Sequence, residues 1–182
     1  MTLLILGIVL WIAAHSFKRL APDIRADLGK GGRPLIAGLI VASVLAMIFG
    51  YKWAPVIPVW SPPSFMVHIN NLAMLIAFFV YGMSATTGRL RGKLRHPQLT
   101  AVKIWAVAHL SVNGDLASIL LFGGMLTWAI GSVVLINKSE PDWQRPVPGE
   151  AKKDIILVVI TLVMFSVVAA IHIWAGAWPF PR

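Results

Sequence analysis

Five histidines carry most of the chemistry this sequence offers: His15, His68, His96, His109 and His172. There is no cysteine, so thiolate nucleophiles, disulfides and Cys-ligated metals are excluded. Carboxylates are almost absent from the apolar stretches, which leaves imidazole as the main candidate for chemistry. Neutral imidazole is a good ligand for Fe, Zn and Cu. No His-Glu-x-x-His run and no paired-carboxylate pattern is present, which argues against a zinc hydrolase. Two local patterns favour haem instead. Trp11-Ile12-Ala13-Ala14-His15 and Trp105-Ala106-Val107-Ala108-His109 each place a Trp one helical turn before a His and an Ala directly before it. A flat macrocycle needs small residues beside its axial ligand, and an aromatic ring one turn away can pack against its edge. The same spacing also suits imidazoles that simply hydrogen-bond across a helix interface.

The elements that must hold these histidines are membrane helices. Of the 182 residues, 58% are hydrophobic and 13% charged, against about 25% charged in a water-soluble domain. With a mean hydropathy of +0.78, the chain has too little polar surface for a soluble globule. Its length suits a single domain, read as residues 1–182. Crossing a bilayer takes about 20 mostly apolar residues. Six stretches approach that length, at about 2–17, 34–53, 65–86, just past Pro97 to 112, 116–136 and 154–178. All six are expected to be helices, because a lipid-exposed strand cannot satisfy its backbone unless a barrel closes. They are also too long and too uniformly apolar for outer-membrane strands. The fourth is short and contains Lys103 and His109. The first has its basic residues after the apolar run, the wrong order for a cleaved signal, so it is expected to be a retained helix.

Charge placement sets the expected topology. Lys18, Arg19, Arg25, Lys30 and Arg33 lie between the first two stretches, and Arg89, Arg91, Lys93 and Arg95 between the third and fourth. Lys138, Arg145, Lys152 and Lys153 lie between the fifth and sixth, while the opposite loops hold only Lys52. This positive-inside pattern puts both termini on the outer, periplasmic side. Trp53, Trp60, Trp174 and Trp178 then fall at the outer interface, where an aromatic belt belongs. The net charge of +9 is therefore explained by basic loops facing anionic headgroups, without a nucleic-acid partner. Residues 137–153, with Pro141, Pro146 and Pro148, read as a turn-rich loop.

Depth complicates a simple pairing of the two Trp-linked histidines. At roughly 1.5 Å per residue, His15 lies about 7 Å to the inner side of its helix centre and His109 about 6 Å to the outer side of its own. Straight helices would leave the rings roughly 13 Å apart in depth; tilt or an inward fourth helix closes that gap. By depth, His68 and His172 are better neighbours for His109 and stand as alternates. Arg95-His96-Pro97 marks the inner entrance of the fourth helix, with Pro at its first turn. Arg95 and His96 there can bind an anionic headgroup, a phosphate or a haem propionate, or form only a solvated basic loop. Lys103 is long enough to snorkel. Asn113-Gly114-Asp115 reads as a tight turn, with Asp115 as the N-cap of the fifth helix.

The run Arg95-His96-Pro97-Gln98, then Lys103 to Leu110, Asn113-Gly114-Asp115 and Leu121-Phe122-Gly123 resembles the NnrU family. So does Leu10 to His15 followed by Lys18-Arg19-Leu20, and the likeness covers essentially the whole chain. It implies a bacterial inner-membrane protein associated with nitrite and nitric oxide metabolism in denitrifiers. NnrU proteins are also similar to the plant and cyanobacterial 15-cis-zeta-carotene isomerase, a b-type haem protein whose haem is held by histidines. That similarity places its haem ligands on His15 and His109. The isomerase is thought to exchange one ligand for a Cys three residues before the second His. Ala106 stands at that position here, so thiolate ligand switching is unavailable to this chain.

The resulting expectation is an all-α bundle of six transmembrane helices binding haem b, with His15 and His109 as iron ligands, Trp11 and Trp105 packing beside them, and Arg95 and His96 at the propionates. Its role would be that of a sensor, electron carrier or assembly factor in nitric oxide and nitrite handling, alongside a nitrite or nitric oxide reductase system. Two other readings accompany it: a haem-dependent cis–trans isomerase of a polyene, and a non-catalytic assembly helper with structural histidines. Arg-His-Pro also heads a helix in isoprenylcysteine-type membrane methyltransferases. Here only Glu140, Asp142 and Glu150 follow, in a Pro-rich loop without a convincing cofactor pocket.

Overall fold

A computed structural model describes residues 1–181. Among the described residues the architecture is all-helical, with seven α-helices: α1 (Thr2–Leu20), α2 (Pro22–Asp27), α3 (Gly32–Lys52), α4 (Met66–Gly82), α5 (Pro97–Leu110), α6 (Leu116–Ser139) and α7 (Lys152–Trp174). Each of the six apolar stretches forms a helix. α1, α3 with its preceding turn, α6 and α7 are long and apolar enough to cross a membrane. α4 is a shorter apolar helix of 17 residues, and α5 has 14. At 1.5 Å per residue α5 is about 21 Å long, short of the roughly 30 Å hydrocarbon thickness.

The short α2 is absent from the sequence expectation, which has only a basic loop there. Pro22 starts it at the first turn, where its missing N–H costs nothing, and a 3-10 turn at Gly29–Gly31 leads on into α3. α4 ends four residues before the expected limit. There Thr86 Oγ1 donates to the Gly82 carbonyl and Ser84 Oγ to the Tyr81 carbonyl, which closes the helix end locally.

The chain forms two compact units, one from Met1–Ser61 with Gly114–Ser139 and the other from Pro62–Asn113 with the chain from Glu140 onward. In the first, α1 and α3 approach to backbone contact. A Cβ on Gly7 would lie 2.8 Å from the Met47 amide nitrogen, and one on Gly50 would lie 2.6 Å from Leu4 Cα. Without a hydrophobic drive between helices in lipid, small residues at such seams let dispersion contacts hold them together. α6 joins by seating Gly124 against Ile8. Its N-terminus is capped by Asp115, as the turn sequence leads one to expect: Oδ1 accepts from the Ser118 amide at 3.0 Å. Ser118 Oγ donates to Asp115 Oδ2, so the Tyr51 hydroxyl 2.8 Å away must be the donor to Ser118 Oγ. The 53–61 loop is pinned to the same corner, with the Val59 and Trp60 amides both donating to the Gly114 carbonyl.

In the second unit α4 packs against α5 and α7 around Val80, Met83, Ala101 and Leu157. Asp154, in the first turn of α7, accepts from the Arg89 and Leu90 amides at 3.1 and 3.3 Å, and so fastens the basic loop before α5. α7 leaves Ile155, Val159, Leu162, Val163 and Val167 exposed, an apolar surface suited to lipid.

Candidate functional site

His15 sits in the last third of α1, inside an aromatic cluster. Its Nδ1 lies 2.9 Å from the Trp11 carbonyl one turn earlier. A carbonyl can only accept, so Nδ1 carries the proton and a neutral ring keeps its lone pair on Nε2. Metal-bound histidines are commonly set up this way, with one ring nitrogen donating to a backbone carbonyl. The Trp11 ring centre is 4.0 Å from that of His15, tilted by 33°. Trp128 of α6 closes the cluster edge-on, 5.0 Å from His15 and 5.1 Å from Trp11. The indole Nε1 atoms of Trp11 and Trp128 are both buried and donate to nothing. An unmet donor in apolar surroundings costs about 1–3 kcal/mol, so two around one imidazole mark a place suited to an acceptor.

His109, near the end of α5, repeats the local arrangement. Its Nδ1 is 3.0 Å from the Trp105 carbonyl, and the Trp105 ring centre is 5.5 Å from its own. Asn113 Nδ2 donates to the His109 carbonyl at 2.8 Å and fixes the turn that follows. His172 of α7 stands beside it, with ring centres 6.4 Å apart. Its Nδ1 is bonded to the Val168 carbonyl at 2.8 Å, so it has the same tautomer. Ala106 and Ala108 are buried on α5 and keep the helix slim next to these rings.

The other expected site residues belong to the second unit. His68 is exposed in the first turn of α4. His96 is the N-cap residue of α5 but makes no side-chain capping bond. The Arg95 guanidinium reaches the 140–151 loop, donating from Nη1 to the Pro141 carbonyl at 3.4 Å and from Nη2 to the Glu140 carbonyl. Its observed partners are therefore backbone carbonyls that brace two loops.

Among the described residues no three His, Asp or Glu side chains converge as a metal-ion site. A macrocycle brings its own equatorial nitrogens and asks the protein for only one or two imidazoles. Each imidazole fits that demand by itself: His15, His109 and His172 are each held in the Nε2-ligating tautomer, and the two buried indoles beside His15 are suited to an acidic substituent. Trp128 is the residue that sequence reasoning misses, because no histidine lies near it in the chain. Its position near the middle of an apolar helix, away from the interfaces where Trp usually collects, is the available signal.

No curated protein and no solved structure matches the chain. The family model described as NnrU protein matches residues 3–179, running through both units and all the histidines discussed above. With nearly its whole length matched, the chain belongs to the NnrU family.

Proposed function

We propose that the protein is a b-type haem-binding protein of the bacterial cytoplasmic membrane that acts in nitric oxide and nitrite metabolism as a sensor, electron carrier or assembly factor. The observation that carries this reading is the cluster of His15, Trp11 and Trp128, in which a ligand-ready imidazole is ringed by two buried indole N–H groups without acceptors. His15 and His109 are the iron ligands in this proposal, and His172 is the imidazole held beside His109. A bound haem would supply reversible one-electron chemistry and, where one of these imidazoles can be displaced, a place for a diatomic gas. The residues themselves orient and exclude. The Trp11, Trp105 and Val168 carbonyls fix each imidazole tautomer, and tryptophan rings pack against His15 and His109. Ala106, where thiolate switching would need a cysteine, favours this reading over polyene isomerisation.

The topology we propose has six spans with both termini periplasmic. It rests on the basic loops and on the apolar character of α4 and α5 beside the four longer helices. Titration of the detergent-purified apoprotein with hemin tests the haem reading. A Soret band that saturates at one equivalent in wild type and weakens in His15→Ala supports it. Absence of any saturable band overturns it and leaves the histidines as packing residues of an assembly helper.

A further inference from the structure

The first unit holds a second feature that needs no haem. Where α1 ends and α3 begins, a cleft of about 410 Å³ is lined by Lys18, Pro22, Arg25, Ala26 and Arg33. That volume lies within the range of about 300–1,000 Å³ of small-ligand sites. Three of the five lining residues are cationic, and among the described residues none of the three is ion-paired with a carboxylate. At about 100° per residue, Pro22, Arg25 and Ala26 share one face of α2, while Asp23 and Asp27 lie on another. The Arg25 guanidinium lies directly over Gly32, where an added Cβ would collide with Nη1. This glycine thus lets the cation rest against the start of α3.

We infer that this cleft binds the phosphodiester headgroup of an anionic lipid. Charge complementarity calls for an anion, and position selects a lipid over free phosphate. Lys18 lies in the last turn of one apolar span and Arg33 at the start of the next, so the cleft stands at the level where headgroups meet hydrocarbon. Leu20, Ile24 and Leu35, each within two residues of a lining residue, are exposed at 68%, 60% and 48% and give these helix ends apolar surface at the same level. Basic pockets at the cytoplasmic ends of membrane helices are suited to such headgroups.

Native mass spectrometry of the full-length protein in neutral detergent tests the assignment. Separate titrations use dioleoylphosphatidylglycerol, dioleoylphosphatidylcholine, glycerol 3-phosphate and inorganic phosphate. We expect a first phosphatidylglycerol adduct that forms well before any phosphatidylcholine adduct, with neither soluble phosphate competing at equal concentration. The combined Lys18→Gln, Arg25→Gln and Arg33→Gln variant should weaken that adduct about a hundredfold, at roughly 1 kcal/mol per near-surface cation. Lys152→Gln with Lys153→Gln, which removes charge elsewhere, should leave it unchanged. Gly32→Ala keeps every charge but displaces Arg25; it should weaken binding severalfold and keeps the test available if the triple variant fails to fold. Equal binding of both lipids, displacement by inorganic phosphate, or equal loss in the Lys152/Lys153 variant would overturn the assignment.

Discussion

Replacing Gly50 with alanine should loosen the α1–α3 seam that carries His15. The new Cβ would lie 2.6 Å from Leu4 Cα and 2.9 Å from the Leu3 carbonyl carbon. Carbon atoms rest about 3.5–4.0 Å apart, and these neighbours are backbone atoms that cannot rotate away. The helices must therefore separate locally by about 1 Å. Alanine favours a helix over glycine by up to about 1 kcal/mol, while overpacking costs about 1–3 kcal/mol. We expect a net loss of about 1–2 kcal/mol. Gly38 on the same helix is the control, since nothing lies within 4 Å of an added Cβ there. Gly38→Ala should be neutral or stabilising. Graded SDS unfolding in mixed micelles, followed by helical circular dichroism, measures both. If Gly50→Ala is as stable as Gly38→Ala, the backbone contact does not hold the seam and this reasoning fails.

Other perturbations report on separate parts of the molecule. Trp128→Phe removes a buried, partnerless N–H, so the apoprotein should gain about 1 kcal/mol in the same assay while hemin affinity falls severalfold. Lower apoprotein stability would mean that the indole already has a partner. Asp115→Ala removes the α6 cap and the acceptor for Ser118, at a cost of about 1–2 kcal/mol. Asp154→Ala frees the Arg89 and Leu90 amides. Limited trypsin digestion should then cut the 83–96 loop several times faster, and an unchanged rate would show that Asp154 does not fasten it.

Much of the helical framework is legible from apolar run length and flanking charge, because the bilayer imposes both. The six expected stretches match α1 and α3 to α7, with ends that differ by up to about four residues. The differences arise where local chemistry takes over. Pro22 nucleates α2 inside a basic loop, and Ser84 and Thr86 turn back on the end of α4. The Trp-x-x-x-His pattern identifies two imidazoles, each bonded to the carbonyl of the Trp four residues earlier in its own helix, so sequence spacing carries it. Trp128 and the approach of His172 to His109 depend on packing between helices far apart in sequence. Uniformly apolar helices carry little periodicity to show which face turns inward. Arg95 illustrates the same difficulty: a basic residue ahead of a helix suggests an anion, yet its partners are the carbonyls of Glu140 and Pro141.

The most direct measurement is the absorption spectrum of protein purified from cells with ample haem, recorded oxidised, dithionite-reduced, and reduced under carbon monoxide or nitric oxide. We expect a Soret band with sharp α and β bands on reduction, weakened in both His15→Ala and His109→Ala, with a shift under gas if one imidazole is displaceable. Colourless wild-type protein that also fails to take up hemin, or haem spectra unchanged in both variants, would contradict ligation by these histidines.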